Sequence, residues 1–179
     1  MTSYAKAPRP LKEASIIVVE DHTFVRDRLT RMLKPVVGAL HGAVSAEDAF
    51  YNLEQTPGLV HVAIVDFHLP GMDGIRFIEK LRAAKSSILR KLPVVILTGE
   101  NSLELYRRAQ RLGIAAFLMK PVALATLVEA LEGALAGRRA GAPKPDMDTQ
   151  PAPEAAPVKA KAGKTKAAEA PPEPIDFKT

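Results

Sequence analysis

The chain has 179 residues, no cysteine and a formal net charge of +5 at pH 7. This length fits one domain, or one domain with appendages, and the lack of cysteine excludes disulfides and thiolate metal sites. No run approaches the roughly 18 apolar residues of a membrane-spanning helix, and the start of the chain lacks the apolar core of a signal peptide. We therefore expect a cytoplasmic protein with no membrane partner, whose charge is too small to single out nucleic acid.

From residue 14 to residue 137, short apolar runs alternate with amphipathic segments, so we assign one domain to this range. Residues 1–13 contain prolines and basic residues and are predicted to be a flexible leader. Short apolar runs bounded by turn residues are typical of strands, which are predicted at 15–19, 39–44, 62–66, 93–97 and 114–119. Apolar residues at helical spacing predict helices at 24–33, 46–55, 74–85, 100–112 and 124–136.

Three helix boundaries carry specific signals. Ser45 can cap the helix at 46–55, Asp73 can serve the start of the next helix, and Gly113 can end the helix that precedes it. Residues 86–92 are predicted to be a polar connection. Five strands alternating with five helices predict a parallel sheet with helices on both faces. Short, right-handed connections favour a doubly wound, flavodoxin-like α/β fold.

The C-terminal segment, residues 138–179, has a different composition. It is rich in alanine, proline, lysine and glutamate and has few large apolar residues, so we predict that it is disordered. Its eight basic and six acidic residues leave a net charge of only +2, which favours weak binding to nucleic acid. Two interpretations stay open: an inert solubilising tail, or a tether whose apolar end at 175–177 docks on a partner protein.

Polar residues follow four of the predicted strands at the point where each strand ends. Glu20 and Asp21 follow the first strand, Asp66 ends the third, Thr98 follows the fourth and Lys120 follows the fifth. The carboxyl ends of parallel strands meet at one edge of a sheet, where ligands and chemistry gather. Carboxylates about 4 Å apart repel by roughly 4 kcal/mol per pair at an effective dielectric near 20. A lysine offsets part of this repulsion, and Mg²⁺ with oxygen ligands would offset the rest.

This set of side chains fits phosphoryl transfer. Asp66 can act as a carboxylate nucleophile, while Thr98 and Lys120 can pair with the oxygens of the incoming phosphoryl group. Mg²⁺ commonly completes its shell with substrate phosphate. The sequence therefore predicts a site at which a phosphoryl group is transferred to Asp66.

The same residues resemble the receiver domain of two-component response regulators, in the chemotaxis-type, single-domain layout. The resemblance covers about residues 14–137 and includes the loop at 69–74 and the Lys120-Pro121 pair. It implies that Glu20, Asp21 and Asp66 hold Mg²⁺ together with the backbone carbonyl of His68. It also implies a cis peptide bond between Lys120 and Pro121.

The resemblance implies roles for the remaining site residues. Asp66 is the phosphoacceptor, Lys120 is the family's lysine, Thr98 is the switch hydroxyl and Phe117 is the switch aromatic. Phe117 has an alternative interpretation, because an aromatic side chain on a strand usually belongs to the core. The side chain of His68 is expected to face solvent.

These expectations together describe a phosphorylation-dependent signal receiver that modifies itself and is not a turnover enzyme. Its predicted partners are a histidine kinase or phosphotransfer protein and a downstream protein, contacted through residues 100–136 or through the tail. Homodimerisation stays open. The first alternative is a nucleic-acid-binding regulator acting through the lysines at 159–166. The second is a small phosphohydrolase, which the Glu20-Asp21-His22 segment disfavours because a phosphohydrolase would carry Asp-x-Asp there.

Overall fold

The structure is a computed structural model that describes residues 9–137. Five parallel strands form one sheet in the order β2-β1-β3-β4-β5. The strands are β1 (Ser15–Val19), β2 (Ala39–Ala43), β3 (Val62–Asp66), β4 (Val94–Thr98) and β5 (Ala116–Met119). This topology confirms the predicted flavodoxin-like, doubly wound fold.

Six α-helices connect and follow the strands in the described residues. They are α1 (Thr23–Leu33), α2 (Ala46–Gln55), α3 (Gly74–Ala83), α4 (Ser87–Arg90), α5 (Leu103–Arg111) and α6 (Leu124–Leu135). Alternate residues of each strand point to opposite faces of the sheet, and strands buried on both faces are apolar throughout. One face packs against α2, α3 and α5 through residues such as Ile17, Val65 and Ile96. The other packs against α1 and α6 through residues such as Ile16, Ile64 and Leu97.

The prediction that residues 1–13 form a flexible leader is wrong at the C-terminal end of that segment. Residues Leu11–Glu13 form a 3₁₀ turn, and Leu11 is buried in the core beneath α1 and α6. A single leucine between polar and proline residues gave no periodic signal, but burying it removes apolar surface from water. Residues 1–8 lie outside the described residues.

The predicted polar connection at 86–92 contains a short helix, α4. Ser86 caps it, since its Oγ accepts the N–H of Leu89 at 3.5 Å. Arg82 then donates to the carbonyl oxygens of Arg90 and Leu92 at 3.1 and 3.0 Å and ties this segment to α3. One helical turn is too short to be recognised from spacing alone, because helix nucleation is unfavourable and tertiary contacts must stabilise it.

Three further boundaries differ by two or three residues from the sequence predictions. Helix α3 ends at Ala83 and not at residue 85. Helix α5 begins at Leu103 because Ser102 accepts the N–H of Leu105 at 3.2 Å. Strand β5 begins at Ala116.

The predicted signals of Ser45, Asp73 and Gly113 are confirmed. Ser45 and Asp73 accept backbone N–H groups at the starts of α2 and α3, and Gly113 has a φ of 69° just after α5. Helix α6 ends at Leu135, close to the expected residue 136.

Within residues 9–137, no helix is long and apolar enough to cross a membrane. The predicted tail at 138–179, including its lysines and its apolar end, lies outside the described residues.

Candidate functional site

The register of the sheet brings the predicted site residues to one edge. Val19 pairs with Val65, so Glu20 follows β1 beside the end of β3. Asp66 pairs with Leu97, and Thr98 pairs with Met119, the residue before Lys120. Because the strands are parallel and in register, all their polar ends face the same side of the molecule.

Lys120 bridges two carboxylates from different strands. Its Nζ lies 2.7 Å from Glu20 Oε2 and 2.9 Å from Asp66 Oδ2. Burial by itself would lower the pKa of Lys120, but its hydrogen bonds and charge attraction to Glu20 and Asp66 outweigh burial and raise that pKa. The ammonium is therefore charged at neutral pH and is fixed between Glu20 and Asp66.

One ammonium does not balance the acidic groups around it. Glu20 is 1% exposed and Asp66 is 6% exposed, and Asp21 places a carboxylate oxygen within 4.8 Å of a Glu20 oxygen. Three carboxylates face one ammonium, and the guanidinium of Arg26 bonds to backbone carbonyl oxygens of the acidic pair and not to its carboxylates. Burying the carboxylates of Glu20 and Asp66 is costly unless cations compensate them. The donor set consists of oxygens, so these residues fit a hard divalent ion.

The backbone around Asp66 is held closely from both sides. A Cβ at Gly74 would lie 2.8 Å from the carbonyl oxygen of Asp66, so only glycine permits this approach of α3 to the end of β3. The backbone N–H of His68 points at Asp66 Oδ1 at 3.4 Å. Glu47 accepts the N–H of Met72 at 3.0 Å, which holds the loop at 69–74.

Thr98 and Phe117 lie on neighbouring strands beneath α5. Thr98 is fully buried, and its Oγ1 accepts the N–H of Glu100 at 3.0 Å. Phe117 is 2% exposed and packs edge-to-face on Tyr106, with ring centroids 5.5 Å apart. Phe117 is therefore a core residue in this structure, and it also contacts an aromatic side chain on the helix above it.

The side chain of His68 faces solvent, as expected. It is 61% exposed, and its Nε2 lies 3.4 Å from Glu100 Oε2. The peptide bond between Lys120 and Pro121 is cis, as the resemblance implied.

Sequence reasoning missed two residues that position the site. Arg26 donates to the carbonyl oxygens of Glu20 and Asp21 at 2.7 and 3.3 Å and thereby fixes the backbone of the acidic pair. Glu47 holds the loop at 69–74 from α2. Neither contact has a sequence signal, because Arg26 bonds to backbone oxygens of the loop before its helix and Glu47 contacts a loop 25 residues away.

A cavity of about 290 Å³ lies beside the site, between α1 and the loop after β5. Its lining is largely apolar and includes Phe24, Val25, Pro121 and Val122 as well as Lys120. Phe24 is 77% exposed, which is unusual for a phenylalanine. An apolar surface therefore adjoins the charged edge of the sheet.

A family model described as the response regulator receiver domain matches residues 16–132. The Sensory/regulatory protein RpfC of Xanthomonas campestris pv. campestris is 32% identical over 124 residues, covering 68% of this chain and 16% of that protein. Chemotaxis protein CheY-3 of Vibrio cholerae is 28% identical over 122 residues, covering 68% of this chain and 91% of that protein.

Solved structures give the same result. A two-component response regulator of the LuxR family from an Aurantimonas species superposes with a TM-score of 0.64 at 28% identity, covering 75% of this chain and 91% of that one. The chain spans only about a sixth of the length of RpfC, since the 124 matched residues are 16% of it. The similarity therefore concerns the domain and not the whole of that relative.

Proposed function

This chain belongs to the response regulator receiver domain family, and we propose that it accepts a phosphoryl group on Asp66 from a histidine kinase or phosphotransfer protein. The observation that carries the proposal is the placement of Asp66 Oδ2 2.9 Å from Lys120 Nζ at the carboxyl edge of the sheet. A nucleophilic carboxylate and a fixed ammonium at one strand end are the groups that phosphoryl transfer needs.

The reaction joins the phosphorus of the donor to one carboxylate oxygen of Asp66. The phosphorus–nitrogen bond of a phosphohistidine breaks, and the leaving imidazole nitrogen retains the electron pair. Lys120 and Thr98 bind oxygens of the transferred group, so charge is balanced where it develops. Water can later cleave the acyl phosphate, which makes the chain a phosphoacceptor with slow self-dephosphorylation and not a turnover enzyme.

Glu20, Asp21, Asp66 and the backbone carbonyl of His68 would hold Mg²⁺. The excess of carboxylates over ammonium groups at this edge supports the assignment. When bound, Mg²⁺ neutralises charge on the phosphoryl oxygens. Arg26 keeps the Glu20–Asp21 backbone in position through its two bonds to carbonyl oxygens.

A partner protein would detect phosphorylation through a change in the packing of α5 and β5. The phosphoryl group adds a charge of about −1.5 to −2, and Thr98 must leave the N–H of Glu100 to bind it. The space that Thr98 vacates lets Phe117 turn, which changes the packing of Tyr106 on α5. Residues 100–136 would then present a different surface to a downstream protein or to a second copy of the chain.

The protein donor would approach across the apolar surface at Phe24. Phe24 and Lys120 line the same cavity, so this exposed apolar surface adjoins the edge of the sheet that carries Asp66. We expect Phe24→Ala to slow phosphorylation by a protein donor about tenfold or more, while phosphorylation by acetyl phosphate stays unchanged. Tyr51→Ala is the matched control, since Tyr51 is 62% exposed on α2. Equal slowing with both donors would contradict this docking surface.

The proposal is tested by phosphorylating the full chain with acetyl phosphate and Mg²⁺ and measuring its intact mass. We expect one added phosphoryl group, absent from Asp66→Asn. Asp73→Asn is the matched control: Asp73 only caps α3 at 2.8 Å, and asparagine caps equally well. Phosphorylation that persists in Asp66→Asn would overturn the proposal.

No observation on the described residues favours the two alternatives. The lysines at 159–166, on which the nucleic-acid hypothesis depended, lie outside those residues. The family match leaves the small phosphohydrolase without support.

A further inference from the structure

The side chain of His22 lies against the acidic pair and does not cap helix α1, which begins at the next residue. Its Nδ1 is 3.1 Å from Asp21 Oδ1 and 3.6 Å from Glu20 Oε1. It occupies the N-cap position of α1, but its side chain accepts no backbone N–H there. Ser45, Asp73 and other residues at the starts of helices do accept such bonds. Helix capping therefore does not explain why this ring points at the carboxylates.

The three side chains are spaced as ligands of one ion. Each offers a ligand atom, and the three atoms lie within 4.8 Å of one another. Ligands about 2.1 Å from an octahedral ion are about 3 Å apart when they occupy adjacent positions. The distances of 3.1 and 3.6 Å from the imidazole nitrogen to the two carboxylates are close to that value. The ring is 73% exposed, so it can adjust without disturbing the core.

We propose that His22 supplies a nitrogen ligand to the divalent cation of this site and shifts its preference from Mg²⁺ toward first-row transition ions such as Ni²⁺. This inference rests on the proposed function, because it takes the acidic pair to be the metal site. Mg²⁺ is a hard ion that prefers oxygen ligands. Imidazole suits nickel and zinc, whose affinity for such sites also exceeds that of lighter divalent ions.

A competing explanation assigns the ring only a hydrogen bond. His22 Nδ1 lies within hydrogen-bonding distance of Asp21 Oδ1, and this contact requires no metal ion. In that case a metal ion would displace the ring, and removing the ring would not weaken the binding of any divalent ion. The two explanations can be distinguished by measuring how the substitution His22→Asn changes the affinities for Mg²⁺ and for Ni²⁺.

The experiment is isothermal titration of the full chain with MgCl₂ and with NiCl₂, at a fixed pH and ionic strength. The chain has four histidines, so His41→Asn serves as the control for loss of an imidazole elsewhere. His41 bonds Ser15 Oγ at the start of β1, away from the acidic pair. We expect His22→Asn to weaken Ni²⁺ binding about tenfold or more and to change Mg²⁺ binding by less than about twofold. His41→Asn should leave both affinities unchanged.

A spectroscopic readout identifies the ligand directly. Electron spin-echo modulation of the Mn²⁺-loaded chain should contain the signal of an imidazole ¹⁴N, and this signal should be absent in His22→Asn. Unchanged Ni²⁺ affinity in His22→Asn would overturn the inference about His22. It would not contradict the proposal that Asp66 is phosphorylated. Mg²⁺ affinity that does not fall in Asp21→Asn would instead contradict the metal site of the proposed function, and this inference with it.

Discussion

The two edges of the sheet use polar residues in opposite ways. At the carboxyl edge, Glu20 and Asp66 share the ammonium of Lys120, and Asp21 adds a third carboxylate beside Glu20. At the amino edge, the polar side chains bond mainly to backbone groups and hydroxyls. The carboxyl edge therefore carries carboxylates in excess of ammonium groups, whereas polar side chains at the amino edge find their partners within the chain itself.

Two groups of contacts illustrate the amino edge. Ser15 donates its N–H to His61 Nδ1, and its Oγ lies 2.9 Å from His41 Nε2. The guanidinium of Arg82 donates to the carbonyl oxygens of Arg90, Leu92, Leu112 and Gly113 at 2.9 to 3.3 Å. These contacts tie loops together after helices α3, α4 and α5, where helix carbonyls lack partners.

An excess of carboxylates, and not polarity as such, distinguishes the carboxyl edge from the amino edge. Buried polar groups with complete hydrogen bonding stabilise a fold. Buried charges are costly unless they are paired with an opposite charge or coordinate a metal ion. The two edges should therefore respond differently to the same kind of substitution.

The largest effect is expected for Lys120→Met. Loss of the ammonium removes the cation next to Asp66 and one partner of the phosphoryl oxygens. We expect phosphorylation by acetyl phosphate to slow by about 10²-fold or more, as for loss of one preorganised donor. The rate is measured by intact mass over time. Arg82→Met, which removes a cation from the amino edge, should leave the rate within about twofold. If the phosphorylation rate falls by less than about threefold in Lys120→Met, the proposed difference between the carboxyl and amino edges of the sheet is contradicted.

A smaller effect, on stability alone, is expected for Arg82→Met. Four backbone carbonyl oxygens lose a charged donor, and bonds to charged groups contribute about 1.5–3 kcal/mol each when lost singly. Water can replace some of them, so we expect the free energy of unfolding to fall by about 2–3 kcal/mol in urea titrations. Arg82→Lys should recover only part of the lost stability, because a lysine ammonium lacks the planar guanidinium that donates several hydrogen bonds in fixed directions. Unchanged stability in Arg82→Met would contradict the assigned role.

The smallest effect concerns pH and His61. Burial, followed by the charge of Arg9, lowers the pKa of His61. Its Nδ1 must be unprotonated to accept the N–H of Ser15. A lowered pKa in the folded state means that stability is present above the ordinary histidine pKa of about 6.5 and is lost as pH falls through the folded value.

His61→Asn tests this pH dependence, because the Oδ1 of asparagine lies close to the position of the histidine Nδ1 and can accept the same N–H, but asparagine does not titrate. Urea titrations at pH 7.5 and pH 5.5 should show a smaller loss of unfolding free energy in the variant than in the parent chain. Parallel losses in the two proteins would show that His61 does not contribute.

Much of the fold followed from the sequence because its strands are short apolar runs with clear ends. Residues 62–66 and 94–98 are buried throughout, and the polar residue at each end marks the sheet edge. The gathering of Asp66, Thr98 and Lys120 then follows from parallel topology alone. The same logic correctly placed Ser45 and Asp73 as caps.

Other features depend on contacts that no local pattern reveals. Arg26 donates to carbonyl oxygens, which every residue has. Its side chain lies beside Gly42, where an added Cβ would be 3.5 Å from the Cδ of Arg26. Leu11 is an isolated apolar residue whose burial depends on α6 lying beside it. Helix α4 is a single turn held by Arg82. Each of these results from tertiary packing, which overrides local propensity.

The position of the phosphoryl group within the chain shows most directly whether Asp66 is the phosphoacceptor. The protein is phosphorylated with acetyl phosphate and Mg²⁺, reduced with borohydride, digested and mapped by mass spectrometry. Reduction converts an aspartyl phosphate to homoserine, and we predict this product at position 66 and nowhere else. Homoserine at Asp21, or an acid-labile phosphoryl group on His68 with Asp66 unmodified, would contradict the account.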